Sequence, residues 1–147
     1  MPEAPFLKAQ LFEAGQTVQL EGLRITAVAV NHVVPTTGFI LEEPGTAAII
    51  VSDTGPTEEI WKAANATPNL KAVFLEACFP NSMTSLAVLS RHLTPAMVGE
   101  EVKKLTSPAR IIIVHIKARF REQVVKELED LALPNLEIGQ MGHTYAL

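Results

Sequence analysis

The sequence predicts an α+β (α/β layered) fold built on one mixed β-sheet, with its helices gathered on a single face. Three observations predict it. Short β-rich runs joined by turn-forming residues fill the first third of the chain. Apolar strands and amphipathic helices then alternate to the end. Two strands, Ala47 to Val51 and Ile111 to Val114, are apolar at every position, as strands inside a covered sheet are. The 147 residues make one domain, 1–147, and 48% hydrophobic against 19% charged residues supports a folded core over disorder.

The elements follow in order. The first 15 residues are a lead-in with a short strand near Leu7 to Phe12. Thr17 to Leu20 and Leu23 to Val30 flank Glu21-Gly22, a two-residue hairpin spacing. Gly38 to Glu42 and Ala47 to Ser52 pair around Glu43-Pro44-Gly45. Pro56 suits the first turn of a helix running to Ala66, where its missing N–H costs little. Leu70 to Glu76 is a compact apolar strand, and Ser82 to Arg91 a helix with Asn81 as N-cap. Thr94-Pro95 is a cap followed by a first-turn proline and starts a helix ending near Leu105. Arg110 to His115 is a central strand. Arg119 to Leu131 is an amphipathic helix with Phe120, Val124, Leu128 and Leu131 on one face. Short strands at Leu136 to Ile138 and His143 to Leu147 close the chain.

Composition narrows the function. A net charge of -4, with lysines and arginines scattered, does not suit a surface that neutralises many phosphates. A small anionic substrate stays open, because bound metal supplies positive charge that no side-chain count shows. A single cysteine, Cys78, excludes an internal disulfide framework, and it reads as a small packed residue. No apolar run approaches the roughly 20 residues of a membrane span, and the N-terminus lacks a secretory pattern, so a cytoplasmic protein is expected.

Three polar residues stand where apolar strands end: His32, Asp53 and His115. Ligands gather where strands give way to loops, and His and Asp suit a borderline divalent metal such as zinc. Plainer readings compete. One histidine after a strand is commonly packed or at a solvent edge, and an Asp before Thr-Gly commonly forms a turn. Glu76 ends a strand and either fixes a site residue or forms a surface or buried pair. Thr36-Thr37 shapes a loop, His143 is structural and Trp61 anchors its helix in the core.

Five segments occur in order: Asn31 to Phe39 (NHVVPTTGF), Val51 to Gly55 (VSDTG), Leu75 to Asn81 (LEACFPN), Arg91 to Pro95 (RHLTP) and Ile113 to Lys117 (IVHIK). Together they resemble the C-terminal half of the metallo-β-lactamase superfamily. The third and fourth resemble the class II 3′,5′-cyclic-nucleotide phosphodiesterases; the first, second and fifth are shared in style with ribonuclease Z. The resemblance implies half of an αββα sandwich and a site for two divalent metal ions, zinc or manganese. It implies that His32 and His115 are terminal metal ligands, that Asp53 bridges the ions, and that His92 stands by the leaving group. Without the resemblance, His92 reads equally well as a histidine satisfied by a helix C-terminus.

The family's H-x-H-x-D-H motif is missing from the sequence. The chain alone is therefore expected to bind metal weakly or not at all and to be inactive, the other half having been removed, separately encoded or lost. An uncovered apolar sheet face is expected to pair with a second copy or with a missing N-terminal half. Cyclic-nucleotide hydrolysis leads the functional readings. A ribonuclease Z-like nuclease and a non-catalytic dimerising module are the alternatives.

Overall fold

The computed structural model describes residues 11–147. Seven strands form one sheet in sequence order: β1 (Thr17–Leu20), β2 (Leu23–Ala29), β3 (Thr37–Glu43), β4 (Thr46–Ile50), β5 (Leu70–Glu76), β6 (Arg110–Val114) and β7 (Leu136–Ile138). The first four make an antiparallel meander, and β4 to β7 run parallel. Glu21 and Gly22 both take positive φ (49° and 93°), the geometry whose twist suits a two-residue hairpin.

Parallel neighbours need crossovers, and helices supply them. α1 (Glu59–Ala66) joins β4 to β5, α2 (Thr84–Ser90) and α3 (Pro95–Val102) join β5 to β6, and α4 (Arg121–Glu129) joins β6 to β7. Each connection steps to the next strand in the same direction, and crossovers share one hand, so the helices collect on one face. Ile40, Ile49, Val73, Leu75, Ile111 and Ile113 point into that layer against Ile60, Trp61, Val98, Val124 and Leu128. The predicted fold class stands: a mixed sheet, helices on one face, half of a sandwich.

The opposite face follows from the strand period of two. Ala27, Phe39, Ile50, Phe74 and Ile112 are successive partners across it. Ile50 remains 40% exposed. The C-terminal segment crosses part of this face, with Tyr145 edge-on to Phe74 at 5.8 Å and under the Arg110 guanidinium.

That segment corrects one expectation. Residues 143–147 form no strand; β7 at Leu136–Ile138 is the edge, and Tyr145 is held by its hydroxyl accepting from Gln140 N at 3.0 Å. Pro56 does not start α1 either. It lies in the loop before, where its carbonyl accepts from Asn31 Nδ2, and the helix begins at Glu59. Asn81 does not cap α2. It opens a short 3-10 turn, and its side chain instead accepts from Ala96 N in the first turn of α3. Thr94 does cap α3, accepting from Met97 N, with Pro95 in the first turn. The strand expected near Leu7 to Phe12 lies largely outside the described residues.

Candidate metal centre

Four loops at the C-terminal ends of β2, β4, β5 and β6 meet at one edge of the sheet. After β2, Asn31 is tied to the loop after β4: its N–H donates to Thr54 Oγ1 (3.1 Å), and its carbonyl accepts from Gly55 N (2.8 Å). This brings His32 beside Asp53. His32 and Arg91 exchange two bonds: His32 Nδ1 donates to the Arg91 carbonyl (3.0 Å), and Arg91 Nη1 donates to the His32 carbonyl (2.8 Å). The loop carrying His32 is thereby fastened to the residue before His92.

The backbone is strained at the same places. Ser52 (φ 63°), Arg91 (φ 52°) and His115 (φ 52°) take left-handed conformations, which cost residues with a Cβ about 1–2 kcal/mol each. Ser52 re-aims the chain between β4 and Asp53. Arg91 ends α2 as its C-cap and delivers His92. His115 is itself the strained residue, one step past β6. Such strain concentrates where a side chain must be placed against the preference of its backbone.

The sequence-predicted residues come together. Asp53 Oδ1 lies 2.6 Å from His115 Nδ1. The rings of His32 and His92 meet edge to face at 4.9 Å between centroids, and those of His92 and His115 at 5.8 Å. His32, Asp53 and His92 each offer a ligand atom, and these lie within 4.8 Å of one another. The His92 side chain is 12% exposed, against 41% for Asp53 and 45% for His115. His92 forms the floor of the cleft, and the Asp53–His115 pair its open rim.

Glu76 is the residue that the sequence left undecided. It ends β5, fully buried, and its two oxygens accept four bonds. Oε1 takes Thr54 N (3.0 Å) and His92 Nδ1 (2.5 Å); Oε2 takes Cys78 N (3.1 Å) and Leu93 N (3.1 Å). Glu76 therefore holds the loops after β4, β5 and α2 to one point. Burial pushes its carboxyl up to about 7, against the pull of the Thr54 and Leu93 amides. Burial also lowers His92 below the usual imidazole range, against the field of Asp53. Burial raises the Cys78 thiol to about 11, so this cysteine is a packed residue and not a nucleophile. The sequence signal for Glu76 was its place at the end of an apolar strand; the register sets it opposite Val114, the residue before His115. Arg91 gave no such signal, because its carbonyl and its guanidinium both act on His32, which is distant in sequence.

Two grooves flank the cluster. One runs past His32 along Val33, Val34 and Pro35; the other runs past His115 along Arg121, Gln140 and Tyr145. Thr36 Oγ1 donates to the Val34 carbonyl and braces the first. Lys117 sits over the Phe79 ring, and Phe79 in turn packs edge-on to His92.

The donor set fits a divalent metal ion. His32 commits Nδ1 to a backbone carbonyl, which fixes the tautomer that leaves Nε2 free, and His92 Nδ1 does the same toward Glu76 when that carboxyl is ionised, the pattern of metal-binding histidines. The imidazoles of His32 and His92 and the Asp53 carboxylate lie close enough together to serve one ion, with His115 paired to Asp53. Two ions with separate coordination shells need more side chains than these four supply.

No protein-family model matches the chain, and no curated protein matches it. Solved structures do. The metallo-beta-lactamase fold protein YhfI from Bacillus subtilis superposes with a TM-score of 0.71 at 15% identity, covering 92% of this chain and 54% of that one. Human tRNase Z, short form, gives 0.63 at 17% identity, covering 84% and 42%. Zn(2+)-bound PqqB from Methylobacterium extorquens gives 0.64 at 14% identity, covering 94% and 55%. The chain thus has the metallo-β-lactamase fold, and it spans about half the length of these proteins. No helix among the described residues is long and apolar enough to cross a membrane.

Proposed function

We propose that this chain supplies one side of a metal-dependent phosphodiesterase centre acting on a 3′,5′-cyclic nucleotide. The observation that carries the reading is the meeting of Asp53 with His32, His92 and His115 in one cleft, from four separate loops. In the completed centre Asp53, His32 and His115 would hold the divalent ions, which would supply Lewis acidity and a water of lowered pKa. His92, held by Glu76, faces the cleft from its floor and is placed to pass a proton to the departing oxygen. Arg121 lines the groove beside His115 and offers a cation to a phosphate oxygen.

The net charge of -4 favours a small substrate over a long nucleic acid, whose binding rests on neutralising many phosphates. The likeness to human tRNase Z favours a second reading, a nuclease acting on structured RNA. The sheet face bearing Phe39, Ile50 and Phe74 calls for a second layer, either another copy of the chain or a complementary half-domain.

Hydrolysis assays with added zinc or manganese test the reading. Expected is slow, metal-dependent opening of a 3′,5′-cyclic nucleotide, abolished in Asp53→Ala and stimulated by whatever covers the open sheet face. Metal-dependent cleavage of structured RNA with no cyclic-nucleotide turnover would replace it with the nuclease reading. Failure on both substrates at saturating metal would favour a non-catalytic module.

A further inference from the structure

We infer that this chain, by itself, holds a single divalent metal ion of the zinc class, bound by His32, Asp53 and His92. The inference rests on the metal-centre part of the proposed function but departs from it in two respects: one ion in place of two, and His92 as a ligand in place of a proton donor.

The geometry singles out this trio. Of the histidines and carboxylates in the cleft, these three bring ligand atoms within 4.8 Å of one another, a spread that one ion can span with small side-chain adjustments. The two imidazoles are prepared for it. His32 Nδ1 is spent on the Arg91 carbonyl and His92 Nδ1 on the Glu76 carboxylate. His32 therefore keeps Nε2 as its free donor, as does His92 with Glu76 in its carboxylate form, and each has the oxygen partner that orients metal-bound histidines. His115 is arranged differently. Its Nδ1 faces Asp53 Oδ1 at 2.6 Å, so it serves Asp53 as the orienting partner that Arg91 and Glu76 are to the two histidines.

The supports are rigid as well as correctly placed. Glu76 is 1% exposed and accepts two backbone N–H bonds on Oε2 alone, so His92 is anchored to the core of the fold. Arg91 and His32 hold each other through two bonds. Two imidazoles and one carboxylate leave open positions on a zinc-class ion, the coordination expected of a site that also takes water or a substrate oxygen. The second buried group of donors, Glu76, Cys78 and His92, does not compete. Both Glu76 oxygens already accept two bonds each, and the Cys78 thiol is fully buried.

Isothermal titration of the purified chain with zinc chloride, with metal content read after gel filtration, tests the site. Expected is one ion per chain, with His32→Ala, Asp53→Ala and His92→Ala each weakening binding at least a hundredfold while circular dichroism stays that of the parent. His115→Ala keeps the stoichiometry at one and weakens binding roughly ten- to a hundredfold, as loss of an orienting partner does. His143→Ala, outside the cleft, binds as the parent. Cobalt substitution adds a readout independent of folding: the visible spectrum of the bound ion changes in Glu76→Gln, which perturbs His92 without removing a ligand. Two ions per chain, no binding at millimolar zinc, or full binding by His92→Ala overturns the inference. One bound ion with no hydrolysis of any phosphodiester overturns the proposed reaction and leaves this site standing.

Discussion

His92 Nδ1 lies 2.5 Å from Glu76 Oε1, and burial shifts the two groups in opposite directions, the acid upward to about 7 and the imidazole downward. The pair therefore favours its neutral form in the fold, whereas in the unfolded chain both members are charged between their ordinary values of 4.5 and 6.5. Taken alone, Glu76 contributes stability that is complete at low pH and is lost as pH rises from 4.5 to about 7. Taken alone, His92 contributes stability that is present above 6.5 and is lost as pH falls. Within the shared window the proton gained by one is the proton released by the other, and the slopes oppose.

Removing one partner exposes the other's slope. Relative to the parent, metal-free His92→Asn is expected to lose stability as pH rises from 5 to 7, by up to about 1.4 kcal/mol per pH unit. Glu76→Gln is expected to gain stability relative to the parent over the same interval. Urea unfolding at several pH values with a chelator present measures both. Difference slopes of the same sign in the two variants would show that the groups do not titrate as a pair.

A second buried carboxylate organises the helix layer. Glu101 on α3 is 2% exposed; Oε2 accepts from Trp61 Nε1 (2.6 Å) and Thr57 N (3.2 Å), and Oε1 accepts from Lys104 Nζ (2.7 Å). Glu101→Ala strands an indole and an amide donor in the core and is expected to cost on the order of 3 kcal/mol. Glu101→Gln keeps one acceptor and is expected to cost less. Trp61 is the only tryptophan, so its fluorescence reports the change directly in the unfolding curves.

These two carboxylates show where the sequence was legible. The short apolar runs of β4, β5 and β6 and the Thr94-Pro95 start of α3 are local signals, and the fold follows them. His32, Asp53 and His115 could be singled out because each follows a run of apolar strand residues. Glu76 was picked out at its strand end with its role left open, and Glu101 gave no signal, since what a buried acid does is set by donors that arrive from distant segments: Thr54 and Leu93 for one, Thr57 and Trp61 for the other. Asn81 misled for a related reason. Its side chain suits a cap, but the helix it caps is α3, fifteen residues further on, not the adjacent α2. The final residues have strand-like composition, yet the aromatic contact of Tyr145 with Phe74 on the sheet face wins over edge pairing.

The strain before Asp53 gives a test of cost against use. Ser52 holds φ at 63°, a conformation that glycine adopts freely. Ser52→Gly removes the steric cost, about 1–2 kcal/mol, but adds backbone entropy to the unfolded chain, about 0.5–1 kcal/mol. A net gain of roughly 0.5 kcal/mol is expected in urea unfolding. Zinc affinity is expected to fall in the same variant, because the added backbone freedom sits next to a ligand. A variant less stable than the parent would mean that the Ser52 side chain holds the loop by contacts of its own.

Asp53 should separate function from folding most sharply. It is 41% exposed, and its partner His115 is 45% exposed, so their 2.6 Å contact is screened by water and is worth half a kcal/mol or less to the fold. Asp53→Ala in the metal-free state is therefore expected to unfold within about 0.5 kcal/mol of the parent. Added zinc should tell the two apart. A ligand that binds only the folded state stabilises it by about 2.7 kcal/mol at a hundred times its dissociation constant, so the parent's melting temperature should climb with zinc concentration. The variant's should stay flat. If metal-free Asp53→Ala were severely destabilised, the carboxylate would be part of the scaffold, and its loss of metal binding would say nothing about ligation. If zinc shifted both melting curves equally, the ion would be held by some other set of residues than the loops that converge on Asp53.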